Sequence, residues 1–309
     1  MKRGIVKALL ASFALVALAL SPTPAHAQSP AFVTLSFGRM QWVPTLKCVP
    51  LPGGVDLGTV ADALQARGDV ATGIVITDRT QETTRKCFLG YALQASWADI
   101  AGLADRGWSF VSGGTHAQDI SSLPPSEQYA ETCGSLQAFA DHGLDASGMF
   151  AWANNVYDDT VQRTMVATCF DWGRRYSRRL NTPAINQAPY VQRTWSLTGG
   201  SCAAGTGSCS TYPPTVGAHS VYQPPSVFAS YLAGSPDTWA VLQAYRLVKG
   251  SNLSGNLQWD CSASNPAQHW TNRGEMYCYR DYLTIVDSVP ASSVITDPAG
   301  VAAAWGRTI

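Results

Sequence analysis

The sequence has few charged residues and no excess of either sign. Only 14% of its 309 residues are charged, and 21 Lys and Arg residues balance 21 Asp and Glu residues, whereas an average soluble domain is about 25% charged. A nucleic-acid partner is therefore disfavoured, because it requires a basic surface. After residue 27, no apolar run reaches the roughly 18 residues that a membrane-spanning helix needs. Ten Trp residues and a hydrophobic content of 46% still allow a large core, which excludes a disordered chain.

The sequence also lacks the motifs of several enzyme classes. It contains no G-x-S-x-G nucleophile elbow, no phosphate-binding loop with a Gly-Lys pair and no H-E-x-x-H pair. These absences disfavour a serine hydrolase, a nucleotide-dependent enzyme and a metalloprotease. No C-x-x-C spacing occurs among the eight cysteines, which disfavours a structural zinc site.

The first 27 residues have the features of a signal peptide. Cations at positions 2, 3 and 7 precede an apolar run over residues 8–20, and Ala25-His26-Ala27 has the small-x-small form of a cleavage site. This pattern predicts export and cleavage near Ala27. We therefore expect a secreted, extracellular protein in which residues 28–309 form a single domain.

All eight cysteines follow the predicted cleavage site: Cys48, Cys87, Cys133, Cys169, Cys202, Cys209, Cys261 and Cys278. An even number of cysteines in an exported chain favours disulfides over free or metal-bound thiols. Proximity along the chain predicts a Cys202–Cys209 pair first and a Cys261–Cys278 pair next. The sequence leaves the other pairings open.

The first half of the chain alternates between strand-like and helix-like segments. Short runs rich in branched and aromatic residues predict strands over 31–37, 72–77 and 108–112. Apolar residues at three-and-four spacing predict helices over 57–67 and 97–106. Ser96 and Asp99 form a capping box at the start of the second helix, and Gly107 follows as its stop signal.

The second half predicts further elements, with one long irregular stretch. We expect a helix over 126–142, a strand over 148–152, a helix capped by Asp158 that runs to 167, an irregular insertion over 181–236 with its own disulfide, a strand over 239–248, a helix over 275–286, a strand over 292–296 and a terminal helix. Alternating strands and helices predict an α/β fold with a largely parallel sheet or barrel, and the length of the domain suits a (β/α) barrel. The site of such a barrel lies where its strands end.

Four segments resemble, in order, the motifs of the polysaccharide deacetylase (NodB-homology) family. They are VTLSF at 33–37, a pattern with Trp97, Leu103-Ala104, Gly107-Trp108, Ser112 and Asp119-Ile120, the helical segment at 121–143, and FAWANN at 150–155. The first resembles the family strand V-x-L-T-F-D-D-G, and the last resembles F-A-Y-P-Y-G. The resemblance implies an α/β fold with a distorted (β/α) barrel of the polysaccharide deacetylase type, in a protein that acts on carbohydrate.

The resemblance also implies a metal site whose residues are replaced in this chain. In the family, one Asp and two His hold a divalent metal such as zinc, and a second Asp acts as general base. Gly38 and Arg39 stand at the two Asp positions, and Gly113 and Ala117 stand at the two His positions. We therefore expect no cofactor, unless the family chemistry and its divalent metal are retained.

Two hypotheses follow for the function. In the first, the protein is a pseudoenzyme that binds a polysaccharide or cell-wall glycan through Trp152, Asn154, Asn155, Tyr245 and Arg246, which follow predicted strands. In the alternative, it is an active carbohydrate deacetylase that cleaves C–N or ester bonds with a non-standard site. The catalytic candidates are then His116, Asp119 and Asp78, of which His116 lies one position away from a family His.

Two other charged features favour structural roles. His142 ends a predicted helix, where a cation faces the helix dipole favourably. Arg174, Arg175, Arg178 and Arg179 surround Tyr176 in a turn-like segment. They could bind phosphate or an anionic polymer, but such a charge run is more often a solvated face, which is the interpretation we favour.

Overall fold

The computed structural model describes residues 30–88, 90, 92–146, 148–153, 157–161, 166–176, 180–183, 192–197, 223–233, 236–253, 259–265, 270–271 and 275–306. The predicted signal peptide, the two asparagines Asn154 and Asn155, and the predicted Cys202–Cys209 pair lie outside these described residues.

A parallel sheet of eight strands forms the centre of the fold. Its strands are β1 (Ala31–Phe37), β2 (Thr72–Val75), β3 (Ser109–Ser112), β4 (Met149–Ala151), β5 (Trp172–Tyr176), β6 (Gln192–Ser196), β7 (Trp239–Ala244) and β8 (Ser293–Ile295). They pair in the order β7-β6-β5-β4-β3-β2-β1-β8, and β7 also pairs with β1. Seven strands therefore close almost into a ring, and this α/β barrel agrees with the predicted fold class.

Strand β1 is buried along its whole length and lies at the closure of the ring. All seven of its residues are buried, as expected for a parallel strand that is covered on both faces. One edge of β1 pairs with β7, and the other pairs first with β8 and then with β2. The β1–β7 register places Phe37 beside Ala244, so the next residues, Gly38 and Tyr245, leave the sheet side by side.

An apolar cluster fills the interior of the barrel. Strands contribute Phe32, Ile74, Val111, Met149, Trp172, Trp239 and Val241, and the terminal helix contributes Val301 and Ala302. Trp305, just after that helix, packs edge-on against both Phe32 and Trp239 at ring-centroid distances of 6.4 and 6.0 Å. The barrel is therefore a packed core at this end.

Helices cover the outside of the barrel. Their bounds are Leu57–Gln65, Trp97–Ala104, Pro125–Glu131, Ser135–Asp141, Asp159–Val161, Ala167–Cys169, Pro225–Leu232, Tyr279–Asp287 and Pro298–Ala304. The predicted capping box is confirmed, because Asp99 N donates to Ser96 Oγ at 3.1 Å and Ser96 N donates to Asp99 Oδ2 at 2.9 Å. Gly107 has a φ of 83°, which fits its predicted role as the stop signal.

Three small sheets lie outside the barrel sheet. One contains Gln41–Leu46, Val49–Pro50, Cys87–Phe88 and Ala92–Gln94; another contains Gly54–Val55, Arg246–Val248 and Met276–Cys278; the third contains Ser251–Asn252, Trp259–Asp260 and Trp270–Thr271. Among the described residues, no helix is both long and apolar enough to cross a lipid bilayer.

The single helix predicted over 126–142 is wrong. Two helices, Pro125–Glu131 and Ser135–Asp141, are separated at Thr132, whose ψ of −85° is not helical. Tertiary contacts cause the break: Glu131 turns towards the loop after β3, and Cys133 forms a disulfide with Cys169. The single helix was predicted from the regular spacing of apolar residues, and this spacing carries no information about either contact.

The single strand predicted over 239–248 and the helix predicted over 275–286 are also wrong in part. The predicted strand divides at Tyr245, because Arg246–Val248 leaves the barrel and pairs with Met276–Cys278. The helix therefore begins only at Tyr279. A strand and a buried helix cannot be distinguished by periodicity over such short apolar runs.

Two segments predicted as irregular contribute to the barrel. The insertion predicted over 181–236 contains strand β6 and the helix Pro225–Leu232, and the turn-like segment around Arg174 is strand β5. Paired cations in β5 and few branched residues in β6 obscured the strand pattern. Neighbouring strands on both sides nevertheless satisfy their backbone hydrogen bonds.

Three disulfides join described cysteines. Cys261–Cys278 is confirmed, and Cys48–Cys87 and Cys133–Cys169 close loops with sequence separations of 39 and 36 residues. No described cysteine is free. Disulfides are typical of extracellular and other oxidising compartments.

Candidate functional site

A small open pocket, with a cavity volume of about 30 Å³, lies at the carboxyl ends of the barrel strands. Its lining residues are Gly38, Arg39, Ile74, Ile76, Gly113, Ala117, Ala151, Trp152, Ala153, Arg174 and Gln243. Several of them follow the apolar barrel cluster by two positions on the same strand, as Arg174 follows Trp172 and Gln243 follows Val241. Since side chains two apart share a face of a strand, the pocket is the next layer of the barrel interior.

Gly38 provides the space for an aromatic ring at the mouth. A Cβ atom built at Gly38 would overlap both the Tyr245 ring and the Gln243 amide. Tyr245 itself is only 8% exposed. The volume that a side chain at position 38 would need is therefore already filled, and glycine is required there by the close approach of its neighbours.

Arg39 extends from the same strand end and lines the pocket. Its Nη1 donates to Glu275 Oε1 at 3.2 Å, and Arg246 Nη2 donates to Glu275 Oε2 at 2.8 Å. The guanidinium also lies 5.6 Å from the centre of the Tyr245 ring, within reach of a cation–π contact. One carboxylate is thus shared by two guanidinium groups at the mouth.

Arg174 is a site residue that our sequence interpretation missed. It is buried inside the barrel, and its Nη2 donates to Gln243 Oε1. The interpretation of this charge run as a solvated face is therefore wrong for Arg174. The alternation of Trp172 and Arg174 in one strand, and of Val241 and Gln243 in another, was the signal that could have placed both polar residues inside.

In the loop after β3, one of the two positions implied for the metal histidines has little room for a side chain, and the other has a left-handed backbone. A Cβ atom at Gly113 would lie 3.0 Å from Ile74 Cγ2 and 3.3 Å from Ile76 Cγ1. Ala117 has a φ of 60°, in the left-handed region. Among the described residues, no group of three or more His, Cys, Asp or Glu side chains could hold a metal ion. The pocket has guanidinium groups instead, so the residues present do not fit the divalent metal that the resemblance implies.

The catalytic candidates are only partly brought together. His116 Nε2 lies 3.9 Å from Asp78 Oδ2, and His116 Nδ1 lies 3.0 Å from Glu131 Oε2. Asp119 is used elsewhere, because its Oδ1 accepts from Ser121 N at 3.1 Å and from Ser121 Oγ at 2.7 Å. The cluster therefore consists of His116, Asp78 and Glu131. The sequence identified His116 and Asp78 as candidates, but not Glu131.

Glu131 anchors the loop that carries His116. Its side chain is only 3% exposed, and it accepts from the backbone N–H groups of His116 at 3.0 Å and Gln118 at 3.1 Å. A carboxylate in this position fixes both the loop and the orientation of the imidazole. The tertiary fold was needed to find it, because Glu131 ends a helix fifteen residues further along the chain.

Arg79 closes the other side of this loop. Its Nη2 donates to the carbonyl of His116 at 2.6 Å, and its guanidinium lies 3.9 Å from the centre of the Phe88 ring. Burial and the nearby positive charge of Arg39 lower the pKa of Arg79 below its ordinary value, against the opposing effect of Asp78 and Glu131. Cationic groups are therefore crowded at this mouth.

Trp152 lines the pocket but is only 4% exposed. Its ring packs edge-on against Phe150 and Tyr157, at centroid distances of 5.4 and 5.1 Å. Its backbone N–H donates to the Arg174 carbonyl at 3.1 Å. Of the other binding candidates, Tyr245 fills the space above Gly38 and Arg246 pairs with Glu275.

Comparisons with known proteins give likeness to solved structures only. No family model and no curated protein matches the chain. A chitin deacetylase from the fungal pathogen Colletotrichum lindemuthianum is similar at 10% identity, over 91% of this chain and 89% of that one, with a TM-score of 0.47. The Xyl-CE4 domain of a multidomain xylanase from the hindgut metagenome of Trinervitermes trinervoides is similar at 11% identity, over 90% and 92%, with a TM-score of 0.46.

A third similar structure is a polysaccharide deacetylase from Bacillus cereus, at 18% identity with a TM-score of 0.35. The match covers 47% of this chain and 40% of the Bacillus protein, so it spans less than half of that relative. At these identities, activity and ligand have to be argued from the residues of this chain.

Proposed function

We propose that this protein is a secreted glycan-binding pseudoenzyme, in which the positions for a metal and a base have been replaced. One observation carries the proposal. The space above Gly38 is filled by Tyr245 and Gln243, and the next residue, Arg39, is held by Glu275. A side chain that could bind a metal or accept a proton has no room at that strand end.

The chemistry of the pocket supports a carbohydrate ligand. Ile74, Ile76 and Trp152 line the pocket with small apolar patches, each residue being less than 5% exposed, and Gln243 and Arg174 supply polar atoms beside them. Sugars present both apolar C–H faces and hydroxyl groups, so such a mixed pocket suits them. The ligand class is accordingly a polysaccharide or a cell-wall glycan, bound without hydrolysis.

A fluorescence titration with chitin and peptidoglycan oligomers tests this function. We expect saturable binding by the wild type, and binding weakened about tenfold or more in Trp152→Ala because the variant loses ring area beside the pocket. Trp42→Phe is the matched control, since Trp42 packs against Arg85. A folded Trp152→Ala variant that binds as well as the wild type, or a wild type that binds neither oligomer, would contradict the proposal.

Export and a single mature domain over residues 28–309 belong to the same proposal. The three disulfides between described cysteines support an oxidising compartment. Protein recovered from the medium should have Gln28 as its first residue, as determined by amino-terminal sequencing. Recovery of the protein from the cytoplasm with Met1 in place would contradict export.

The His116 cluster favours one alternative, an active carbohydrate deacetylase with a non-standard site. Glu131 orients the imidazole, and Asp78 lies beside the opposite ring nitrogen. In this alternative, His116 Nε2 would take a proton from the attacking water. Release of acetate from chitin hexamer or acetylated xylan by the wild type, lost in His116→Asn and retained in His142→Gln, would establish the alternative. Absence of release from either substrate would remove it.

A further inference from the structure

The charge of the pocket wall is of one sign. Two guanidinium groups, those of Arg39 and Arg174, line the pocket together with the Gln243 amide. No carboxylate lines it among the described residues, which include all 21 Asp and Glu residues of the chain. A neutral glycan would need hydrogen-bonding groups in this position, but it would not need two cations.

We propose that this pocket binds an oxyanion carried by a sugar, such as a uronic-acid carboxylate or a sulfate ester, with Arg174 and Arg39 as its partners. The inference rests on the proposed glycan binding and adds the charge of the ligand. Guanidinium groups suit oxyanions because their planar N–H donors can form two parallel hydrogen bonds to two oxygen atoms.

Arg174 is more deeply buried than Arg39, and this difference suits a ligand that enters the pocket with its charged group first. Arg174 is 5% exposed and projects from the middle of strand β5, whereas the Arg39 side chain is 29% exposed at the rim. The contact with Gln243 holds the deeper guanidinium against strand β7. The anionic group would therefore enter first and meet Arg174, while the sugar ring stays at the rim near Arg39.

Clustering of guanidinium groups at the rim favours the same ligand. Glu275 is shared by Arg39 and Arg246, at 3.2 and 2.8 Å, so a second guanidinium group lies near the pocket-lining Arg39. The charge of Arg39 also helps to lower the pKa of Arg79. A bound anion would reduce this repulsion, and its attraction would be strong because the pocket is partly shielded from water.

The experiment measures binding of four probes by isothermal titration calorimetry. They are a galacturonic acid hexamer, its methyl ester, a sulfated galactan hexasaccharide and a chitin hexamer. We expect the acid to bind at least about tenfold more tightly than its ester, because only the acid carries a charge. The relative affinities of the carboxylate and sulfate probes identify which oxyanion is preferred.

A pair of variants at Ala117 isolates the charge. Ala117 lines the pocket with a φ of 60°, and both Asp and Asn tolerate that backbone conformation. Ala117→Asp should bind the galacturonic acid hexamer at least about tenfold more weakly than Ala117→Asn, since only the former repels the anion. Equal affinities in these two isosteric variants would overturn the inference.

Variants of the arginines provide the complementary measurement. Arg174→Gln should lose the preference for the acid over its ester, whereas Arg67→Gln should keep it, because Arg67 pairs with Asp287 and does not line the pocket. If the wild type binds the acid, the ester and chitin equally, the oxyanion inference fails and glycan binding remains. If it binds none of the four probes, both proposals fail.

Discussion

Gly38 determines which side chains can occupy the mouth of the barrel. We expect Gly38→Asp to destabilise the protein by about 1–3 kcal/mol, because the new side chain would overlap Tyr245 and Gln243. Gly102→Asp is the matched control, since a Cβ atom at Gly102 meets nothing within 4 Å. Urea unfolding measures both variants. Equal stability of the two, or stoichiometric zinc binding by Gly38→Asp, would contradict this account of the site.

His142 has the structural role that its position at a helix end predicts. Its Nδ1–H donates to the Ala138 carbonyl at 2.6 Å, its Nε2 lies 3.1 Å from Glu82, and its ring stacks on Trp97 at a centroid distance of 4.1 Å. Burial lowers the pKa of His142, but the hydrogen bonds and the nearby carboxylates outweigh burial, so its pKa is raised above 6.5.

This raised pKa predicts a pH-dependent contribution to stability. A group whose pKa is raised by folding stabilises the protein fully below its unfolded pKa of about 6.5, and the contribution is lost as pH rises through the folded pKa. The loss of melting temperature in His142→Gln should therefore be larger near pH 5.5 than near pH 8.5. Glu82→Gln should reduce this difference. The same loss at both pH values would show that His142 acts only through packing on Trp97.

At the scale of secondary-structure elements, the Cys133–Cys169 disulfide holds the broken helix pair to the segment before β5. The bridge joins Thr132–Gly134, where the two helices separate, to the helical turn Ala167–Cys169. Serine at both positions should cost about 2–4 kcal/mol in the free energy of unfolding, because the loop is no longer closed in the unfolded chain. Chemical denaturation with and without reductant measures this cost. Reductant should bring the wild type to the stability of the double variant or below it.

All eight cysteines are expected to be paired in the mature protein, including Cys202 and Cys209, which lie outside the described residues. Thiol titration of denatured, unreduced protein should find no free thiol. Two or more free thiols per chain would contradict a fourth bridge, while the three described disulfides could still be present.

At the scale of the whole molecule, the barrel should be stable without a divalent metal. Its pocket is lined by Arg39 and Arg174, and the described residues provide no cluster of metal-binding side chains. We therefore expect a chelator to leave the melting temperature unchanged, and elemental analysis to find no stoichiometric zinc, cobalt or nickel. One tightly bound ion per chain, or a chelator-dependent loss of stability, would contradict the assignment of Gly38 and Arg39 to the replaced positions.

Features that depend on neighbouring residues along the chain could be predicted from the sequence. Strand β1 has the predicted bounds, the Ser96–Asp99 capping box is present, and Gly107 and Gly143 both follow helices with positive φ. These features are local because backbone propensity and side-chain caps act over a few residues. The alternation of such elements was enough to predict an α/β fold with a largely parallel sheet or barrel, and the resemblance favoured the barrel.

Features that depend on distant partners were decided only by the tertiary structure. Glu131 ends its helix to bind the His116 loop, Arg246 leaves the barrel to pair with Met276, and the Arg174 strand is held between two neighbours. Each of these contacts joins residues that are much farther apart in the sequence than the few residues over which a helix or strand pattern repeats. The alternation along each strand could place Arg174 and Gln243 on an inner face, but only closure of the barrel brings Arg39, Arg174 and Gln243 into one pocket wall.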